Sequence, residues 1–388
     1  MKILYISALS SRRLIESLRQ ESGEDPGYAV QKFNRLIALG LKSNDVDVKV
    51  LSAIPVNPNR NKKRFWKSSG EVEDGLEYNY IPFVNVKIFR QICIFFYGFF
   101  YVLIWGIIGR KDKAIVCDAL FVSICYGSLL ATKLNGIRSV GILTDMPGLM
   151  VSESGRSFAT SFNLHILSLF SHYVFLTEAM NSVVNKKKKP YIIIEGVVDV
   201  LSCIGDRFMK KDNPRVVMYA GSLYERYGLK LLVDSFIYLK PDNAKLVIYG
   251  SGPYEDTLKS LSSDIIEYRG LRTTEEIVEA EHRATLLVNP RPTTEEFTKY
   301  SFPSKNMEYM VSGTPLLTTK LPGIPKDYYP YVYMFEEETV EGFSLKLSEI
   351  LSLSEQELTE KGMDALEFVL NNKNNHIQTH RILNLLQQ

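Results

Sequence analysis

At 388 residues the chain is too long for one ordinary hydrophobic core and suits two domains. Its 45% hydrophobic and 23% charged content is that of a globular protein and sets aside a disordered chain. The net charge of +2 is uneven: residues 1–195 hold 25 Lys+Arg against 16 Asp+Glu, a net +9, and residues 196–388 a net −7. Such a basic first half suits an anionic partner, and with no nucleic-acid-binding motif visible an anionic membrane face fits better than nucleic acid. Met1-Lys2 runs straight into an apolar strand with no signal peptide, so the scattered cysteines read as reduced thiols in a cytoplasmic protein. The histidines are scattered too, which argues against a zinc site.

Residues 2–8 read as a buried strand, and a polar segment follows from Ser10 to Pro26. Gly27 precedes Tyr28–Leu41, where Val30, Phe33, Ile37 and Leu41 recur at helical spacing and Leu36 and Leu39 widen the face. Val46–Leu51 is the next strand, and this βαβ opening predicts a doubly wound domain. Asp45-Val46-Asp47 has the form of a D-x-D metal motif, but it starts a strand, whereas ligands gather at strand C-terminal ends; it reads as a decoy. Asn57–Lys67 is a basic loop carrying Phe65 and Trp66, as suited to a membrane interface as to plain solvation.

Ile92–Ile108 contains 17 residues without a charge. A spanning helix needs about 20 apolar residues. A span would also separate the two halves of the first domain and break the βαβ pattern, so that reading is rejected. The expectation is a helix partly packed and partly dipped in lipid, with a plain core helix as the alternative.

Lys113–Val116, Ile137–Thr144, Tyr173–Thr177 and Tyr191–Ile194 read as further strands. Asp145 ends the second of these, before Pro147-Gly148, where a cleft residue would sit. A carboxylate there can orient or deprotonate an acceptor hydroxyl, although Asp is also a common turn former. Lys186–Lys189 reads first as a solvated face and second as a membrane contact. Glu195-Gly196 closes the first domain, and the irregular residues 199–213 carry the boundary.

Arg215–Ala220, Lys245–Tyr249 and Ile265–Arg269 are strands of a second α/β unit, and Leu286–Arg291 is the strand that enters its central stretch. Gly250-Ser251-Gly252-Pro253 lacks the third glycine of a dinucleotide fingerprint and reads as a structural turn. Tyr300–Thr319 (YSFPSKNMEYMVSGTPLLTT) is the most informative stretch. Ser301 to Lys305 is a turn that opens a helix, with a serine before the start and Pro303 in the first turn; Asn306–Val311 is the short helix, Gly313 stops it, and Leu316–Thr319 is a buried strand. Free N–H groups at a helix start, with Lys305 in the first turn, can hold a diphosphate. Glu308 shares a face with Lys305 and can accept from a pair of sugar hydroxyls. The plain alternative is a solvated ion pair.

This stretch resembles the donor-site signature of retaining family 4 glycosyltransferases, which have the GT-B fold. That signature is a Glu, seven residues and a second Glu, then a short helix and G-x-P; Glu308 and Gly313-Thr314-Pro315 match the second half. The first Glu falls on Tyr300, with Glu295 or Glu296 as its substitute, and Pro303 stands where the family has a phosphate-facing glycine. The YSFPSK..EYM..GTP form is similar to a branch found in bacterial surface-polysaccharide synthesis. Gly221, Leu223 and Gly228 match the family's diphosphate-gripping Gly-Arg-Leu and Lys-Gly pattern, whose Arg and Lys fall on Ser222 and Tyr227. Arg226 is the nearest replacement cation and can reach a phosphate bidentately; otherwise it pairs with Glu225 or is a free surface charge. Gly270-Leu271 corresponds to the turn that holds the base, and Gly27 either to the family's cleft-facing glycine or to an ordinary turn glycine. The resemblance is specific over residues 214–330 and loose before residue 190.

The resemblance implies an α/β protein of two Rossmann-like domains facing across a cleft: residues 1–198 for the acceptor, 199–370 for the nucleotide-sugar, and 371–388 as a helix crossing back to the first domain. It implies sugar transfer with retention from a nucleotide-sugar, with UDP-sugar the expected donor, to a lipid-linked or oligosaccharide acceptor. Gly27, Gly221, Ser222, Arg226, Leu271, Glu296, Tyr300, Ser301, Ser304, Lys305 and Glu308 would bind the donor, and Asp145 and Lys305 would act in catalysis. Cofactor and metal are expected to be absent. The expected place is the cytoplasmic face of the cell membrane, in peripheral contact. The alternatives are a non-catalytic homologue that binds glycan or scaffolds a partner, and a soluble enzyme making a small glycoside.

Overall fold

The computed structural model describes residues 1–23, 27–108, 112–146, 158–199 and 209–388. These fall into two compact units, Met1–Val197 with Asn375–Gln388, and Val198–Asn374. The strands are β1 (Lys2–Ser7), β2 (Asp47–Ser52), β3 (Phe65–Trp66), β4 (Ser69–Glu73), β5 (Leu76–Tyr80), β6 (Phe83–Val84), β7 (Lys113–Asp118), β8 (Arg138–Leu143), β9 (His172–Phe175), β10 (Tyr191–Ile193), β11 (Arg215–Ala220), β12 (Ala244–Tyr249), β13 (Ile266–Gly270), β14 (Leu286–Asn289), β15 (Leu316–Thr318) and β16 (Tyr333–Met334). The helices are α1 (Arg12–Ser22), α2 (Tyr28–Ser43), α3 (Lys87–Ile107), α4 (Val122–Asn135), α5 (Phe158–Leu167), α6 (Glu178–Val184), α7 (Leu229–Leu239), α8 (Glu255–Ser260), α9 (Thr274–Arg283), α10 (Ser304–Val311), α11 (Val340–Ser352), α12 (Glu355–Asn372) and α13 (Asn375–Leu385).

The first unit is built on a sheet of order β10-β9-β8-β7-β1-β2-β5-β4, parallel except for the β5–β4 pair, with β3 and β6 in a separate ribbon. The order reverses between β1 and β7. The polar segment after β1 contains a helix that apolar spacing does not reveal: α1 buries only Leu18, and its marks are its ends. The Ser11 hydroxyl accepts the Leu14 N–H at 3.0 Å, and Gly23 closes the helix at φ +61°. The buried face of α2 also differs from the expected one. Val30 is exposed and Phe33 half-buried, while Gln31, Asn34 and Arg35 are buried beside Ile37 and Leu41. Their polar heads satisfy the chain end of β1: Gln31 accepts the Ser10 N–H at 3.0 Å and donates to the Ala8 carbonyl at 2.8 Å, and Arg35 donates to the Ser10 carbonyl at 2.8 Å. α13 lies against α2, where His376 Nδ1 and Ser43 Oγ are 3.0 Å apart.

α3 packs along α4 through Ile94, Gly98 and Val102, a spacing of four. A Cβ on Gly127 of α4 would overlap the Phe95 carbonyl oxygen, so the two helices approach at backbone distance. The opposite face of α3 is apolar and open, from Ile88 (74% exposed) through Phe96 and Phe100 (54%) to Ile108. The helix is long and apolar enough to cross a membrane. Yet β1 pairs with β2 before it and with β7 after it, so the sheet would have to stand on both sides of the bilayer. In the basic loop Phe65 is 71% exposed, but Trp66 is buried, stacked on Phe83 at 5.9 Å under Lys63. Only one of the two aromatics is therefore available to an outside surface. In the lysine run Lys189 is tied to the Ser168 and Phe170 carbonyls, while Lys186 to Lys188 are exposed.

The second unit is a six-stranded parallel sheet of order β13-β12-β11-β14-β15-β16, which reverses between β11 and β14. One face packs Met218, Leu287, Tyr309, Met310, Tyr328 and Phe368; the other packs Leu232, Phe236, Ile248, Phe335 and Phe343. A half-buried cation, Lys211, sits at its margin. Lys211 donates to Thr314 Oγ1 at 2.8 Å and to the His282 carbonyl at 2.9 Å, and burial lowers its pKa from 10.5 to about 8. Between those values the unfolded chain holds a proton that the folded chain has lost, so stability rises with pH, and this contribution is lost as pH falls through about 8. Lys211→Met is expected to flatten the rise in melting temperature between about pH 8 and pH 10.5. Parallel curves for the two proteins would show that Lys211 is not the group responsible.

Candidate functional site

The C-terminal edge of the second sheet, at the β11/β14 reversal, is where open α/β sheets receive ligands. Three ties assemble it. The buried Tyr309 hydroxyl, on α10, accepts the Ala220 N–H at 2.9 Å and donates to the Ala220 carbonyl at 3.2 Å, closing the end of β11. Asn289 Nδ2 donates to Asn306 Oδ1 at 2.6 Å, and Asn306 Nδ2 donates to Thr318 Oγ1 at 3.2 Å, so β14, α10 and β15 are joined by one buried chain. Tyr309→Phe removes the partner of a buried N–H and is expected to cost about 1–3 kcal/mol in urea unfolding. An unchanged midpoint would show that α10 does not anchor β11.

α10 begins at Ser304, two residues before the expected Asn306, and Pro303 is its cap rather than a first-turn residue. The Ser301 hydroxyl donates to the Phe297 carbonyl at 3.2 Å, back into the 3₁₀ turn that precedes it, and so does not cap the helix. No side chain among the described residues caps α10; the Asn306 N–H donates to the Pro303 carbonyl at 2.8 Å, so the N–H groups of Ser304 and Lys305 are the ones the helix start presents. Lys305 Nζ and Glu308 Oε2 are 3.1 Å apart, with side chains 40% and 37% exposed. They form a half-buried ion pair at that helix start. Tyr300 ends the 3₁₀ turn Glu296–Lys299, and Glu296 stands exposed at its head.

Gly221 donates to the Tyr249 carbonyl at 3.1 Å, and the exposed Ser222 follows it at the end of β11. Gly250 and Gly252 are structural, as expected: a Cβ on either would overlap the backbone of Gly221 or Leu223. Arg226 lies on the 3₁₀ turn Glu225–Tyr227, exposed, with its guanidinium 5.4 Å from the Tyr224 ring and 5.2 Å from the Tyr227 ring. It makes no ion pair with Glu225 among the described residues. Leu271, 69% exposed, follows β13 at the other flank. Thus Gly221, Ser222 and Arg226 share one edge with Tyr300 to Glu308.

Gly27 and Asp145 belong to the other unit. Gly27 heads α2 at φ +83°, and its carbonyl accepts the Gln31 N–H at 3.1 Å. Asp145 follows β8, and its Oδ1 accepts the Met146 N–H at 2.8 Å; Pro147 and Gly148 lie outside the described residues.

Two features of these edges were not assigned from the sequence. In the first unit Tyr5 donates to Asn34 at 2.5 Å and Asn34 to Asp118 at 2.8 Å, at the β1/β7 reversal, and burial raises the Asp118 pKa. In the second unit Arg291 follows β14. The strand expected over Leu286–Arg291 ends at Asn289, because Pro290 has no N–H to give the ladder, and this leaves Arg291 beyond it. Among the described residues no group of three His, Cys, Asp or Glu side chains could hold a metal.

Residues 214–352 match the sequence profile of glycosyl transferases group 1. No curated protein matches the chain by sequence. Among solved structures, TarM aligns at TM-score 0.67 and 12% identity, covering 100% of this chain and 99% of that one. The apo lipopolysaccharide outer core galactosyltransferase WaaB aligns at 0.63 and 14%, covering 100% and 99%. Anabaena HepE in complex with UDP aligns at 0.60 and 13%, covering 100% of both chains. The chain therefore has the GT-B fold along its whole length and carries its glycosyl transferase group 1 match on the second unit.

Proposed function

We propose that the protein is a retaining glycosyltransferase that moves a hexose from a nucleotide-sugar, UDP-linked, to a lipid-linked or oligosaccharide acceptor in cell-surface polysaccharide synthesis. The observation that carries this reading is the coincidence of the group 1 match with the uncapped α10 start and the Lys305–Glu308 pair at the sheet reversal. UDP is supported by HepE in complex with UDP and by S. aureus TarM in complex with Fondaparinux, alpha-GlcNAc-glycerol and UDP. When the sugar–phosphate bond breaks, negative charge grows on the diphosphate. The first-turn N–H groups of α10, Ser304 and Lys305 stabilise it, Glu308 accepts from sugar hydroxyls, and Asp145 orients the acceptor hydroxyl. The cations of the chain serve in place of a metal, so turnover should survive EDTA. Calorimetric titration with UDP, GDP and ADP tests the donor site. Failure to bind any of the three removes the transferase reading and favours a glycan-binding scaffold, for which Ser222, Tyr227 and Tyr300 at the resembled signature positions speak.

Peripheral contact with the cytoplasmic membrane face belongs to the same proposal. It is supported by the open apolar face of α3 and by exposed Phe65 in its basic loop. Phe96→Asp with Phe100→Asp is expected to abolish co-sedimentation with anionic vesicles. Equal sedimentation of wild type and variant would remove α3 as the contact.

A further inference from the structure

We propose that Arg291 and Arg226, gathered on the Tyr227 ring, form an anion subsite for a diphosphate, with Arg291 as its principal cation. The proposal rests on the nucleotide-sugar reading and names the groups that would hold the leaving phosphates.

The guanidinium of Arg291 lies 5.0 Å from the Tyr227 centroid and 5.4 Å from that of Phe297. Arg226 lies over the same Tyr227 ring at 5.2 Å. Two like charges are thus held by one aromatic side chain. Arg291 Nε is buried and has no partner, and among the described residues its side chain makes no hydrogen bond or ion pair. Its Nη atoms are not among the buried unpartnered atoms, so they are the part that solvent reaches. Burial first, and then the Arg226 charge, lower its pKa, and the groups that oppose this are the Tyr227 and Tyr219 hydroxyls rather than a carboxylate.

A half-buried cation with no counter-charge, beside a second cation, destabilises a folded chain unless something else is gained. The aromatic faces offset part of that cost by cation–π attraction and leave the Nη edge free for a bidentate contact. The surroundings keep the group in place. The Thr319 hydroxyl donates to the Arg291 carbonyl at 2.5 Å, and Gly228 lets the Tyr227 turn close on Pro290. Arg291 follows β14, at the sheet reversal, and Phe297 lies in the turn that leads to the α10 start. An anion here would meet a guanidinium pair on the edge where Lys305 and the open N–H groups also stand.

The test is calorimetric titration of wild type, Arg291→Gln, Arg291→Lys and Arg226→Gln with inorganic pyrophosphate, UDP, GDP and ADP. Uridine, guanosine and adenosine serve as chargeless probes. The expected result is a loss of about tenfold or more in pyrophosphate and nucleotide affinity for Arg291→Gln, with a smaller loss for Arg226→Gln and partial rescue by Arg291→Lys. Nucleoside binding should not change, and the melting temperature of Arg291→Gln should equal or exceed that of wild type, because an unpaired charge has gone. A structural arginine would give the reverse, a lower melting temperature with nucleoside and nucleotide affinity falling together. Pyrophosphate and nucleotide affinity in Arg291→Gln within about twofold of wild type overturns the subsite while leaving the nucleotide-sugar reading intact. Pyrophosphate binding that depends on Arg291, without binding of any nucleotide, upholds the subsite and removes that reading. No anion binding by wild type removes both. Should Arg291→Gln not fold, Arg226→Gln on its exposed turn and Arg291→Lys decide the matter.

Discussion

Lys305→Ala is expected to lower transfer from a nucleotide-sugar by about a hundredfold or more, with no change in melting temperature. The charge that develops on the diphosphate needs donors already in place, and removal of one such donor costs roughly 3–4 kcal/mol of transition-state stabilisation. Lys305 stands in the first turn of α10, where the helix end and the ammonium act in the same direction. Its partner Glu308 is 3.1 Å away and both side chains are half-exposed, so the pair contributes at most about 1 kcal/mol to stability. The variant should therefore stay folded, and the loss should appear in turnover rather than in unfolding. Glu308→Ala should instead raise KM or abolish donor binding, because its carboxylate is assigned to hydroxyls and not to the leaving phosphates. If both variants transfer sugar at the wild-type rate, the pair is a solvated one and the donor site lies elsewhere.

Gly228→Ala should destabilise the second unit by about 2–4 kcal/mol. Gly228 has φ +81°, in the region that side chains resist, and a Cβ there would overlap the carbonyl oxygen of Pro290. Backbone cannot move aside as a flexible side chain can, so the 3₁₀ turn Glu225–Tyr227 would have to lift from the end of β14. Tyr227 would then part from Arg291, and nucleotide affinity should fall along with stability. Gly136→Ala is the control: it has φ +65° but nothing within 4 Å of the added atom, so it carries only the conformational cost. Equal shifts in the chemical denaturation midpoints of the two variants would mean that the Pro290 carbonyl is not rigidly placed.

Much of this protein can be read along the chain because it depends on near neighbours. Strands such as β1, β11 and β14 are continuous apolar runs bounded by polar or turn residues, and a parallel sheet buried on both faces requires such runs. The glycines at 250 and 252 follow a strand and must let backbone pass close by, a need that depends on few residues. The Lys305–Glu308 spacing and the Gly313 stop are properties of a single helix. α1 is obscure along the chain because its signals are two caps and not a stripe, and the start of α10 is obscure because the Ser301 hydroxyl bonds back to the preceding 3₁₀ turn.

Only the tertiary structure decided which polar residues are inside. Apolar spacing pointed α2 inward through Val30, whereas the open carbonyls and N–H groups after β1 required Gln31 and Arg35 there, because buried backbone must be paired. Likewise α3 is apolar all round, and its packing on α4 and β6 determines which face is covered and which stays open. The setting of Arg291 was the least legible: its charge is local, but its surroundings are made by Arg226 and Tyr227 from one turn and Phe297 from another. A residue type can be read from the sequence, but the dielectric and the counter-charges around it exist only once distant segments meet.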